Sequence, residues 1–264
     1  MTRTRAIATL LLVAALALVL ALPAGAAKGG KGGGGGGGGG KPTTTTSTTT
    51  STTAPTTTQA PTTTAAPDPG RDPILFVHGW NSSGSTWNTM VDRFLAAGYS
   101  PDELMAFSYN TSQSNRTTAA EIAGRVDALL EANDADQVDV IAHSMGSLSS
   151  RHYLKFLGGA AGPVDSWVSL GGPNHGTDTA YFCFSTACSE MRPGSTFLAE
   201  LNAGDESPGD IVRYATWWSP CDTVINPDSS VSVDGATNTQ TACIGHSDLH
   251  QDATVYGQVA AFID

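Results

Sequence analysis

The first 67 residues of this 264-residue chain contain no aspartate or glutamate, and residues 42–67 carry no charge of either sign. Basic residues are scarce everywhere: 13 Lys and Arg stand against 24 Asp and Glu, a formal net charge of −11. Binding to a phosphate backbone needs a basic face, so nucleic acid is excluded as the main partner. Cysteine is limited to Cys183, Cys188, Cys221 and Cys243, and no two of these are spaced as CxxC. A zinc site of the usual kind is therefore excluded, and no metal is expected. With no Cys near the expected cleavage site, a lipid-anchored lipoprotein is not expected. The apolar stretch at residues 6–22 is broken by Thr9 and falls short of the about 20 residues of a comfortable membrane span.

What is present divides the chain into a tail and a domain. Residues 1–27 combine Arg3 and Arg5, the apolar stretch, and the small residues Pro23 to Ala27. This is the pattern of a cleaved secretory signal peptide. Residues 28–67 are a glycine run with three lysines, then almost entirely Thr, Pro, Ala and Ser. Such a segment cannot offset its ordering entropy by burying apolar area. It is expected to be a disordered linker and stalk, free or associated with a cell wall. All 24 acidic residues lie in 68–264, with only eight of the basic ones. That segment is long enough to fold as one domain, expected to act outside the cell as a monomer. An exported chain with four Cys suggests disulfides. Three pairings are possible, and Cys183–Cys188 with Cys221–Cys243 is the one expected.

Short apolar runs alternate with helical spacing. Residues 74–77, 104–107, 138–142, 166–170, 211–217 and 239–244 read as strands. Residues 86–97, 119–131, a segment ending near 157, and 255–263 read as helices. This alternation predicts an α/β fold, a mostly parallel six-stranded sheet with helices on both faces. In such sheets, function collects at the carboxyl ends of the strands.

The sharpest motif follows the third strand: Ala142-His143-Ser144-Met145-Gly146. A strand, small-x-Ser-x-Gly and a helix make a nucleophile elbow. The strained turn needs small neighbours two positions either side of Ser144 and lifts its Oγ above the sheet. A serine nucleophile needs a base and an orienting acid, in chain order Ser, Asp or Glu, His. His246, in a loop before the last helix, is the expected base, and His250 the alternative. Asp222, after the fifth strand, is the expected acid; Asp205, Asp210 and Asp228 are weaker candidates. His78 and His175 read as structural. A Cys221–Cys243 bridge would tie the acid loop to the base loop. Two backbone N–H groups, of Met145 and Trp80, are expected to form an oxyanion hole. Trp80, Phe182, Phe184, Trp217 and Trp218 are candidates for an apolar groove.

The motifs His78-Gly79, Ala142 to Gly146, Gly171-Gly172-Pro173-Asn174-His175-Gly176-Thr177, Trp218-Ser219-Pro220-Cys221-Asp222 and Gly245-His246 resemble those of the class 2 secreted bacterial lipases. These are small α/β-hydrolases similar to the minimal Bacillus lipase and its actinobacterial relatives. The resemblance spans most of residues 74–263. It implies a minimal α/β-hydrolase fold, hydrolysis of carboxylic esters of lipids, a triad of Ser144, Asp222 and His246, oxyanion donors at Trp80 and Met145, and no cofactor. A short-chain carboxylesterase or cutinase-like polyesterase is the alternative; an acyltransferase or an inactive cell-surface module is a more distant one. The chain departs from the minimal form in its four Cys, its Thr-rich stalk and an insertion at 178–192, which is long enough for a small flap but is not assigned that role by its sequence.

Overall fold

The computed structural model describes residues 70–264. The expected leader (1–27), the linker and stalk (28–67), and the first two residues of the expected domain lie outside the described residues. Six strands are present: β1 (Ile74–Val77), β2 (Leu104–Ala106), β3 (Val138–His143), β4 (Val164–Leu170), β5 (Arg213–Trp218) and β6 (Thr237–Gln240). They form one sheet in the order β2-β1-β3-β4-β5-β6, and every neighbouring pair is parallel. The order reverses between β1 and β3, so the crevice above their carboxyl ends is the place where such sheets bind ligands.

β1 and β3 are buried along their whole length. That explains the unbroken apolar run of β1 and the mostly apolar β3, in which Asp139 and His143 are the buried exceptions, because a central parallel strand is covered on both faces. On one face, α2 (Asn115–Asn133) and α3 (Gly146–Phe156) pack a cluster containing Ile122, Val126, Leu129, Leu154 and Trp167. On the other, α1 (Asn88–Ala96) and α6 (Ala253–Ile263) cover Ile74, Phe76, Ile141 and Val168. Among the described residues, no helix is long and apolar enough to cross a membrane.

Several boundaries differ from the sequence expectation, each for a local reason. α2 starts at Asn115 rather than 119. Its apolar periodicity begins late, but Ser114 caps the helix by accepting from the Arg116 amide (3.2 Å), as an N-cap serine does. The Asn115 amide also donates to Glu190 (2.6 Å). β6 lies at 237–240 rather than 239–244. Its residues Thr-Asn-Thr-Gln are mostly exposed, so hydrophobic patterning could not mark it. The apolar and Cys-bearing residues after it turn away to reach the β5 loop instead.

The 178–192 insertion folds into a 3-10 turn, Asp178–Phe182, and α4 (Thr186–Glu190), followed by α5 (Thr196–Leu201). Cys183–Cys188 closes its tip and Cys221–Cys243 joins the loops after β5 and β6, so both expected disulfides are present. Arg192 fastens the base of the insertion, donating to the carbonyls of Ala180 (3.1 Å) and Cys183 (2.9 Å).

Candidate active site

β3 ends at His143 and α3 begins at Gly146, so Ser144 and Met145 make the turn between them. Ser144 has φ 55°, the left-handed region that a residue with a Cβ enters at a cost. The turn tolerates this because its neighbours are bare. A Cβ on Gly146 would lie 2.5 Å from the carbonyl oxygens of both Val77 and His78. A Cβ on Gly79 would lie 2.7 Å from the Ser144 Cβ. Glycine at both positions lets the β1 loop close over the serine. The Ser144 amide donates to the Leu170 carbonyl (2.9 Å), fixing the turn to the end of β4.

Ser144, His246 and Asp222 come together from three loops. His246 Nε2 lies 3.0 Å from Ser144 Oγ, and His246 Nδ1 lies 2.7 Å from Asp222 Oδ2. The other Asp222 oxygen accepts the amides of Val224 (2.8 Å) and Ile225 (3.0 Å). Three donors thus hold the carboxylate in one orientation, leaving Nδ1 to carry the ring proton and Nε2 to face the serine.

The acid and base loops are joined twice. Cys221–Cys243 links them covalently. The buried Ser219 hydroxyl oxygen accepts the amides of Cys221 (3.1 Å) and Ile244 (2.9 Å), and the hydroxyl donates to the Ala242 carbonyl (3.2 Å). Gly171, at φ 57°, packs directly on the Asp222–His246 pair. Sequence reasoning assigned no role to Ser219 or Gly171. The signal for Ser219 was available, since it lies two residues before the bridge cysteine.

The other histidines have their own partners. His143 Nε2 donates to the His246 carbonyl (2.9 Å). Burial, then His246 and His250, hold its pKa well below the usual histidine range. It is a neutral strut that positions the base loop from below. His250 meets Thr86 Oγ1 at 3.0 Å and is pushed down to about 4 by burial and by His246. His78 donates from Nδ1 to the Gly79 carbonyl (2.9 Å) and stacks on Tyr109 with ring centroids 4.2 Å apart. His175 pairs with Glu206 (3.0 Å). Among the described residues, Asp222 is the acid paired with His246. Asp205 instead accepts the Ser207 amide (2.9 Å), and Asp228 opens a 3-10 turn elsewhere.

The family model of the class 2 lipases matches residues 71–260. The chain belongs to the class 2 lipase family. This membership makes it a carboxylic ester hydrolase. The fold agrees with solved α/β-hydrolase structures. The mature Bacillus licheniformis lipase BlEst2 is similar with a TM-score of 0.66 at 17% identity, over 75% of this chain and 94% of that one. Aspergillus fumigatus lipase B is similar with a TM-score of 0.59 at 14% identity, over 74% of this chain and 53% of that one. The Rhodococcus esterase RhEst1 is similar with a TM-score of 0.50 at 17% identity, over 75% of this chain and 92% of that one.

Two recesses open beside Ser144 in this class 2 lipase. One, of about 190 Å³, is lined by Ala180, Phe182, Met191, Val224 and Ile225 with Thr177 and Thr179. The other, of about 230 Å³, is lined by Asn81, Ser82, Thr86, Ser247 and Gln251 with His143 and His250. Trp80, Ser144 and His246 border both. The insertion therefore supplies one wall of the apolar recess. Of the five aromatics considered for an apolar groove, Trp80 and Phe182 reach it. Trp217 is core, buried with its indole donating to Gln258 (2.8 Å). Phe184 is 89% exposed at the insertion tip. Trp218 does not line the recess.

Among the described residues, the carboxylates close enough to share a cation are Asp72, Asp139 and Asp165. They sit at the amino ends of the strands, at the opposite end of the sheet from Ser144. Arg213 already pairs with Asp165 there (2.5 Å), and burial raises the Asp139 pKa well above the carboxylate range.

Proposed function

We propose that the chain hydrolyses carboxylic esters of lipids outside the cell, through an acyl-enzyme on Ser144. Ser144 Oγ attacks the ester carbonyl while His246 Nε2 takes its proton. The oxyanion is held by the amides of Trp80 and Met145. Among the described residues, no turn or loop backbone hydrogen bond is donated by either amide, which leaves both available. Losing one such donor typically costs about 10²–10³ in rate. His246 then protonates the leaving alcohol, Asp222 stabilises the imidazolium, and water deprotonated by the same base attacks the acyl carbon, breaking its bond to Ser144 Oγ, which takes the proton back. None of these steps calls on a cofactor.

The observation that carries this reading is the unbroken chain of 3.0 and 2.7 Å contacts from Ser144 through His246 to Asp222, starting from a serine in strained elbow geometry. Export is supported by the two disulfides, which persist in oxidising compartments. The apolar recess suits the acyl chain. At about 190 Å³ it is smaller than the roughly 300–1,000 Å³ of a usual ligand cleft, but it opens to solvent, so a short-chain carboxylesterase is the alternative that the test below separates.

The test is hydrolysis of a chain-length series of p-nitrophenyl esters by the wild type beside Ser144→Ala, with labelling by an alkyl phosphonate. The expected result is activity and labelling that both vanish in the variant. Activity retained by Ser144→Ala would overturn the assignment. The preferred chain length separates a lipase from a short-chain esterase.

A further inference from the structure

We infer that the second recess beside Ser144 is an alcohol site, and that it selects esters whose alcohol half carries free hydroxyls, such as a mono-acylated polyol, over esters of plain alkanols. This rests on the reading of Ser144 as the nucleophile. An ester carbonyl placed on Ser144 has two halves, and the two recesses meet there, sharing Trp80, Ser144 and His246. Their linings are opposite in kind. The first offers Ala180, Met191, Val224 and Ile225, with hydroxyls only from Thr179 and from Thr177, whose oxygen is already bonded to Val224 and Asn226, so a free hydroxyl there would lose its water for few partners. The second offers the side chains of Asn81, Ser82, Ser247 and Gln251, all donors and acceptors of hydrogen bonds.

The second lining contains no Asp, Glu, Lys or Arg. In a chain with 24 acidic residues, that leaves uncharged hydroxyls as the matching chemistry, rather than a phosphate or an ammonium group. The side also suits the reaction. As the Ser144 Oγ–acyl bond forms, the bond from the acyl carbon to the alcohol oxygen breaks, and the proton held on His246 Nε2 passes to that oxygen. The leaving alcohol must therefore lie against His246, which belongs to the same loop as Ser247 and Gln251. His246 borders both recesses, but Ser247 and Gln251 line only the second, so an alcohol leaving on that side meets the polar groups of the loop.

The test compares two water-soluble esters of one acid, 1-monobutyrin and n-propyl butyrate. Both give the same butyryl-enzyme, so a difference in kcat/KM belongs to acylation, with the alcohol still in place. The wild type is expected to favour monobutyrin. The double variant Ser82→Ala, Gln251→Leu is expected to lower kcat/KM for monobutyrin by about tenfold, since each hydrogen bond is worth about two- to tenfold. Its kcat/KM on propyl butyrate is expected to hold or rise, which also shows that the variant is folded. Equal wild-type rates on the two esters, or an equal loss on both in the variant, would overturn the alcohol site and leave the hydrolase reading standing. No wild-type hydrolysis of either ester would overturn both.

Discussion

Gly171 stands so close to His246 that a Cβ on it would come within 3.3 Å of Nδ1, 3.2 Å of Asp222 Oδ2 and 2.8 Å of a Leu249 methyl. The end of β4 is therefore a floor for the acid–base pair. Gly171→Ala adds a methyl to a position with φ 57° and pushes on that pair. It is expected to lower kcat by about 10²-fold, the cost of an ångström-scale misplacement, with a much smaller change in KM. Steady-state kinetics on a soluble ester checks this; an unchanged kcat would show that the pair relaxes without penalty.

Asp222 accepts three hydrogen bonds, one from His246 and two from backbone amides. Asp222→Asn keeps the shape but presents an amide to Nδ1, favouring the wrong ring tautomer. The expected loss in kcat is about 10⁴-fold, as for an orienting acid replaced by its amide. Labelling by a phosphonate should slow in parallel. A loss of only a few-fold would move the acid role to another residue.

The Cys221–Cys243 bridge and Ser219 hold the same two loops. The double variant Cys221→Ser, Cys243→Ser is expected to lose activity on warming or in mild urea before the domain unfolds. Parallel curves of activity and circular dichroism would reduce the bridge to a stability role, typically worth about 2–4 kcal/mol. Ser219→Ala in the bridged protein should produce a weaker form of the same separation.

The pH response follows from the histidines around the site. His250 has an ordinary value of 6.5 and a folded value of about 4. It packs against Trp87, His143 and Thr86, and its Nδ1 is buried without a partner. Between those two values the unfolded chain takes up a proton that the folded chain refuses. Stability therefore holds above about pH 6.5 and falls as the pH drops towards 4. At about 1.4 kcal/mol per unit, the loss is on the order of a few kcal/mol. His143 is shifted in the same direction and adds to it. Urea midpoints at pH 7.5 and 5 should differ clearly in the wild type and less in His250→Gln. Equal pH sensitivity in the two proteins would remove His250 from the explanation.

The buried strands were legible because β1 is apolar throughout and β3 is mostly so, Asp139 and His143 apart, and the elbow because its small residues are set by backbone clearance. Asp222 and His246 followed from chain order and from the cysteines beside them. Less was legible where the determining contact is distant in sequence. The start of α2 depends on Glu190, 75 residues away. β6 is polar and lies at the sheet edge, so its sequence carries no burial signal. Ser219 and Gly171 act through a hydroxyl and through the absence of a side chain, and neither leaves a periodic trace. The groove aromatics were only partly legible, because a tryptophan at a strand end can face the core, as Trp217 does.

Met145 packs in a small cluster with Ala180, Ala187, Cys188, Met191 and Leu198. The segment that walls the apolar recess thus also supports the residue whose amide is proposed to receive the oxyanion. On that proposal, substrate range and turnover rate are mechanically tied. A change on the inner side of residues 178–192 made to admit a longer chain also reaches the backbone at Met145, so selection for a new substrate would act on rate in the same step.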